Sequence, residues 1–377
     1  MASAVRTLAE GCADAGLDSL TITLDAPDMP WFKDWRTPVI AAGPGQTRFG
    51  WSPKLASLLA REAPSSHGLV VHGLWQYHNL AAFRTSQHLP LPVLVFPHGM
   101  LDPWALRQSL VKRLTKGAAW PLVTAPLLRR ADRLCFTCEE ELAAAAPALK
   151  SLRFTPALVA PGVEACPEVP EILRREFGET HPALAGQRII LFLGRLHPKK
   201  GCDLLVEGFA RWQQMTDAKA AGRFHLRMAG PPCTPAYLKN LSDLALEHGL
   251  APGRDISFPG MVEGRAKWRE LAAAEAMILP SHQENFGMVV GEALSCGTPA
   301  LLSDKVNTWP WVKELEAGFV APDTLEGVVA LLNEWSMVTP QHTASLAANA
   351  ARLYHERFSV PSRSKEFVAL ITSLQKP

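Results

Sequence analysis

Two short runs, 189–193 (IILFL) and 276–279 (AMIL), are apolar at every position. A strand with one wet face alternates apolar and polar residues, so unbroken runs of this length read as strands covered on both faces, as in a parallel sheet. Further strands are expected over 20–24, 39–40, 68–72, 93–96, 134–137, 158–163, 224–229, 256–258, 300–302 and 318–320. Helical spacing fills the stretches between them: 4–15, 55–62, 79–88, 106–115, 139–146, 171–177, 202–213, 237–247, 266–274, 325–335, 343–357 and 361–374. This alternation predicts an α/β chain with doubly wound sheets, whose ligands bind beyond the carboxyl ends of the strands.

At 377 residues the chain exceeds one ordinary core. The acidic, proline-bearing stretch 164–186 reads as a linker. Domains are therefore expected over 1–165 and 166–345, with helices over 346–377 packing back toward the first. Hydrophobic content of 47% against 20% charged describes a folded globular protein. A net charge of +2 gives no basis for bulk nucleic-acid binding. No run of 18 apolar residues exists and no signal-peptide pattern opens the chain, so a cytoplasmic setting is expected. Seven scattered cysteines, an odd number, fit reduced thiols there. Cys135 and Cys138 fall in one expected strand, where alternation turns them to opposite faces and argues against a metal or redox pair.

The chemistry concentrates where the apolar runs end. After 189–193 comes 194–201 (GRLHPKKG), which puts Arg195 and Lys200 at a strand terminus. Two fixed cations there suit a diphosphate, each charge-assisted contact worth roughly 1.5–3 kcal/mol. The pattern is not a Walker loop. After 276–279 comes 281–300 (SHQENFGMVVGEALSCGTPA), with Glu284 ahead of an expected helix and Glu292 inside it. Gly297 closes that helix and Pro299 forbids its continuation. Its first amides and positive dipole end suit a phosphate. Solvated carboxylates are the plain reading of the two glutamates. A two-carboxylate hydrolase is another, but it leaves Arg195 and Lys200 unexplained. The strands 68–72 and 93–96 each end in His-Gly. His72 reads as structural, whereas His98, beside a glycine that permits close approach, reads as ligand-facing. Arg107, Lys112, Arg113, Lys116, Arg129, Arg130 and Arg133, with Trp104 and Trp120, suit contact with anionic lipid heads. Trp309 and Trp311 are expected in a loop at the same sheet edge.

The spacing Glu284-x7-Glu292 with Phe286-Gly287 inside it, the loop GRLHPKKG and the run 98–105 (HGMLDPWA) together resemble family 4 of the retaining, nucleotide-sugar-dependent glycosyltransferases. The resemblance implies the GT-B fold, two Rossmann-like domains facing across a cleft. It implies transfer of a sugar from a nucleotide diphosphate sugar, with retention, to a glycan or lipid-linked acceptor in surface polysaccharide biosynthesis. Arg195, Lys200 and the amides near Phe286 and Met288 would stabilise the diphosphate. Glu292 would bind ribose, Glu284 a hydroxyl of the donor sugar, and His98 that sugar from the other domain. Gly194, Asn285 and Gly287 would also line the donor site, and Gly230, Met261 and Val262 would lie near the base. Neither a metal nor a cofactor is implied. Pro161 stands where the family usually has Asn. The family opens with a strand and a Gly-rich loop, whereas this chain enters its first helix at once. A first domain of low stability and weak activity is the expectation, with a non-catalytic binding relative as the alternative.

Overall fold

A computed structural model describes residues 2–103, 117, 119–215 and 224–375. They divide into two compact units: unit 1 is Met1–Gly162 with Val360–Pro377, and unit 2 is Val163–Ser359.

Unit 2 is built on six parallel strands: β7 (Arg188–Leu193), β8 (Phe224–Ala229), β9 (Ile256–Gly260), β10 (Ala276–Leu279), β11 (Ala300–Ser303) and β12 (Gly318–Ala321). Their spatial order is β12-β11-β10-β7-β8-β9. Both β10 and β11 are buried at every position, as their apolar runs require. The chain lays β8 and β9 to one side of β7, then returns to lay β10, β11 and β12 on the other. The strand order thus reverses between β7 and β10, the place where such sheets open a crevice for ligands. The interior strand β8, between β7 and β9, also carries polar residues, all of them paired. Arg227 contacts Glu270 at 2.5 and 2.7 Å, and His225 contacts the Arg254 carbonyl and Ser257 at 2.9 and 2.7 Å. Burial of such groups is tolerated because each finds its partner.

Unit 1 holds a four-stranded parallel sheet, β3 (Leu69–His72), β4 (Val93–Phe96), β5 (Arg133–Phe136) and β6 (Pro156–Leu158). A separate parallel pair is formed by β1 (Thr21–Thr23) and β2 (Val39–Ala41). Among the described residues no strand joins the pair to the larger sheet. The helix Val360–Ser373 packs on the helix Ala2–Asp14, placing Phe367 and Ile371 with Leu8, Cys12, Leu94 and Phe96 in one apolar cluster.

Several sequence expectations shift. The helix Pro340–Leu353 and the turn Tyr354–Phe358 lie within unit 2, and only Val360–Ser373 joins unit 1. Trp309 and Trp311 sit in a helix, Trp309–Glu314, because Pro310 suits a first helical turn. Cys138 lies beyond β5, just before the helix Glu139–Leu149, so strand alternation does not govern it. The strand expected over 158–163 forms earlier, at Pro156–Leu158. The helix expected over 106–115 falls outside the described residues. No helix among the described residues is long and apolar enough to cross a membrane.

Candidate functional site

At the strand-order reversal the turn after β7 meets the loop after β10. His197 Nδ1 accepts a hydrogen bond from the Lys199 amide at 3.0 Å, capping the short turn Pro198–Lys200. The Lys199 carbonyl in turn accepts from the His282 amide at 2.9 Å, tying turn to loop. Across this junction Lys200 Nζ is ion-paired with Glu284 Oε2, both half-buried. Arg195, by contrast, is exposed and pairs with no carboxylate among the described residues. Burial and the charges of Lys199 and Arg195 push the Lys200 ammonium down to about 8. Lys200 is therefore charged at pH 7. Burial, with Arg195 and the two lysines, lowers His197 from its ordinary value, consistent with its accepting nitrogen.

The β10 loop is pinned from a third direction. Glu284 donates its amide to the Lys305 carbonyl at 2.9 Å, and its carbonyl accepts from the Asn307 amide at 3.0 Å. Phe286 is buried against Trp311 and Phe358, with ring centroids 6.1 and 5.2 Å away. After Asn285 and Phe286 the backbone turns at Gly287, whose φ of +68° disfavours any side chain, and the helix Met288–Ser295 begins. The first two amides of that helix, on Met288 and Val289, lack intrahelical partners by geometry, whereas the Val290 amide donates to the Gly287 carbonyl at 2.7 Å. Further along it, Glu292 meets Lys267 Nζ at 2.9 Å, and the same ammonium lies 4.5 Å from the Trp268 ring.

The remaining predicted donor residues share this edge. Gly230 follows β8 so close to the residue after β7 that a β-carbon on it would lie 1.9 Å from the Gly194 carbonyl oxygen. Only glycine permits that approach at φ +137°. The Gly230 amide donates to Gly260 at 2.7 Å, and Met261 follows, 61% exposed, with Val262 half-buried. Unit 2 therefore brings together Gly194, Arg195, Lys200, Gly230, Met261, Val262, Glu284, Asn285, Phe286, Gly287, Met288 and Glu292 on one sheet edge.

His98 belongs to unit 1, in the turn after β4, with a left-handed φ of +51°. Its Nε2 lies 2.9 Å from His72 Nδ1, and the rings stack with centroids 5.2 Å apart. The turn is held by Glu141, which accepts from the Gly99 amide at 2.5 Å and from the Thr137 amide and hydroxyl at 2.7 Å each. Burial lowers both imidazoles, His72 further through His98, so the pair is neutral at pH 7 and shares one proton across its contact. His72, read from sequence as structural, is thus the direct partner of His98.

The basic stretch is only partly a free surface. Arg130 donates to the Ser86 and Leu91 carbonyls and to Asp132, at 3.3, 3.1 and 3.1 Å, and Arg133 donates to the Asp132 carbonyl at 2.7 Å. Trp120 rests 5.9 Å from Trp75, and Arg129 alone of the described group stands exposed. Trp104, Arg107, Lys112, Arg113 and Lys116 lie outside the described residues.

Lys267 carried no motif in the sequence. Its 25 positions from Glu292 span the strand β10 between two helices, and only the fold brings the two side chains together.

The sequence pattern of Glycosyl transferases group 1 matches residues 174–351, and that of a Glycosyl transferase 4-like domain matches residues 1–161. The chain belongs to the group 1 glycosyltransferases. Among curated members of this family, D-inositol 3-phosphate glycosyltransferase of Jonesia denitrificans is 30% identical over 52% of this chain. That match spans 46% of the relative's length, and a second such enzyme, from Thermomonospora curvata, is matched over 38% of its own. Among solved structures, HepE of Anabaena in complex with UDP and glucose superimposes with a TM-score of 0.74 at 19% identity, covering 98% of this chain and 95% of that one. Sucrose-phosphate synthase of Thermosynechococcus elongatus gives 0.73 at 21% identity, covering 98% and 92%. At these identities the likeness concerns the fold, which is GT-B.

Proposed function

We propose that this group 1 glycosyltransferase transfers a sugar from a nucleotide diphosphate sugar, with retention at the anomeric carbon, to a glycan or lipid-linked acceptor. The observation that carries the reading is the meeting of Arg195, Lys200 and Glu284 where the strand order reverses. The chemical difficulty in such a transfer is the charge on the departing diphosphate. Arg195, Lys200 and the Met288 and Val289 amides that open the Met288–Ser295 helix supply fixed positive charge and dipole for it. Without donor, Lys200 is neutralised by Glu284. An arriving diphosphate takes over the ammonium and releases the carboxylate to accept from a sugar hydroxyl. Glu292, steadied by Lys267, is left to accept from the ribose hydroxyls, and the neutral imidazole of His98, in unit 1, is suited to a sugar hydroxyl. The inositol phosphate glycosyltransferases and the UDP-bound neighbour support a nucleotide-sugar donor.

The test is calorimetry with uridine diphosphate. Lys200→Ala is expected to weaken binding about 10- to 100-fold, the value of one charge-assisted contact, while circular dichroism stays native. Unchanged affinity removes the donor site from this edge.

A further inference from the structure

Two thiols outside this machinery meet at the carboxyl end of the helix that carries Glu292. Cys296 caps that helix and is buried. Cys166, half-exposed, lies three positions past the start of unit 2 at Val163. Its amide donates to Ser295 Oγ at 2.9 Å, and Ser295 Oγ donates onward to the Glu292 carbonyl at 2.7 Å. Its sulfur lies 3.2 Å from the Glu168 carbonyl oxygen, and its thiol interacts electrostatically with that of Cys296. The backbone anchor therefore holds Cys166, near the start of unit 2, beside the helix end that Cys296 caps, 130 positions away in sequence.

We propose that Cys166 and Cys296 form a reversible, peroxide-driven disulfide that resets the Met288–Ser295 helix. The half-exposed thiol is the one prepared to react. The interaction with Cys296 outweighs burial and draws Cys166 down to about 7, while the same interaction and burial push Cys296 up. Burial alone pushes Cys12 up to about 12 and is the largest cause of the same rise at Cys135, Cys138 and Cys202. The Cys166 thiolate attacks hydrogen peroxide: an S–O bond forms, the O–O bond breaks, and hydroxide leaves to become water. The Cys296 sulfur then attacks the Cys166 sulfur. An S–S bond forms, the S–O bond breaks, and the hydroxyl departs as water with the Cys296 proton. Two thiols lose two electrons to one peroxide, and a dithiol reductant reverses the step. Transient sensing disulfides of this kind are compatible with a reducing compartment. The consequence for nucleotide affinity rests on the reading of Glu292 given above; disulfide formation and the helix response do not.

Full-length protein is treated with hydrogen peroxide, then digested for mass spectrometry and followed by amide hydrogen exchange. The expected result is a peptide pair joined through Cys166 and Cys296, lighter by two hydrogens, together with exchange in the Met288–Ser295 helix altered about fivefold or more. Dithiothreitol is expected to restore both. Cys166→Ser should show neither change, and Cys296→Ser should stop at a sulfenic acid that dimedone traps. Oxidation at Cys233 in place of Cys166, or a Cys166 sulfenic acid that persists in the unmutated chain, overturns the disulfide. A disulfide with unchanged helix exchange overturns the switch. Reduced protein that binds no uridine diphosphate counts against the donor site alone, because the peptide and exchange readouts need no nucleotide.

Discussion

Residues at strand carboxyl ends are prepared in opposite ways in the two units. In unit 2 they are ions, Lys200 held on Glu284 with Arg195 exposed nearby, and in the adjoining helices Lys267 is held on Glu292 in the same way. In unit 1 they are two neutral imidazoles, His72 and His98, joined to each other and stacked along Phe96. An ion pair can exchange one partner for a ligand anion without stranding a buried charge, which costs several kcal/mol. A neutral ring offers a hydrogen bond to an uncharged hydroxyl and needs no counter-ion. Unit 2 is accordingly suited to the diphosphate and unit 1 to a sugar.

The contrast breaks most visibly in a pair of double variants. Arg195→Ala with Lys200→Ala is expected to reduce uridine diphosphate affinity by about 10²-fold or more. His72→Ala with His98→Ala is expected to leave it within about twofold, since the imidazoles answer to the sugar and not to the phosphates. Comparable losses in both would show that the nucleotide does not distinguish the units.

The next effect divides the two glutamates. Glu292→Gln should weaken free uridine diphosphate about tenfold, and Lys267→Met should reproduce part of that loss by releasing the carboxylate it steadies. Glu284→Gln should act mainly on the intact sugar donor. Calorimetry with nucleotide and with sugar donor separates the cases, and equal effects on both ligands would merge the two roles.

How much of this was legible in advance depends on the range of the interaction. The unbroken apolar runs of β7 and β10 determine where each strand stops, so Arg195, Lys200 and Glu284 could be placed on one edge from sequence. The turn at Gly287 and the stop at Gly297, both with positive φ, were local and equally readable. Pairings across the fold were not: His72 with His98 spans 26 positions and Arg227 with Glu270 spans 43, and no periodicity encodes either. The apolar face of Val360–Ser373 shows that it packs, but not on which unit. The pairing of Cys166 with Cys296 was hidden for the same reason.

A smaller effect concerns alkaline pH. The folded-state value of Lys200, about 8, means that its charge is lost as pH rises through that point. Affinity for uridine diphosphate should be level from pH 6.5 to 7.5 and fall by up to about tenfold per unit above 8. Lys200→Arg, which stays charged, should flatten the profile. A profile that is already flat in the unmutated chain would assign the phosphate contact elsewhere.

The smallest effect belongs to unit 1 and runs toward acid. The folded-state value of His98 lies near 4, below its ordinary 6.5, and that of His72 is lowered in the same direction. Between those values the unfolded chain binds protons that the folded pair excludes. Stability is therefore intact above pH 6.5 and declines as pH falls from there toward 4. Both rings keep some exposure, and water on their open faces discounts the loss to on the order of 1 kcal/mol. A Phe substitution at His72 removes one titrating group and the coulombic push of a second charge, so it should reduce the acid slope. Denaturant melts of the full chain at pH 5 and pH 7, resolved by hydrogen exchange on β3 and β4, give the comparison. Equal acid sensitivity in the unmutated chain and the His72→Phe variant would mean that the imidazole pair is not where unit 1 stores its pH dependence.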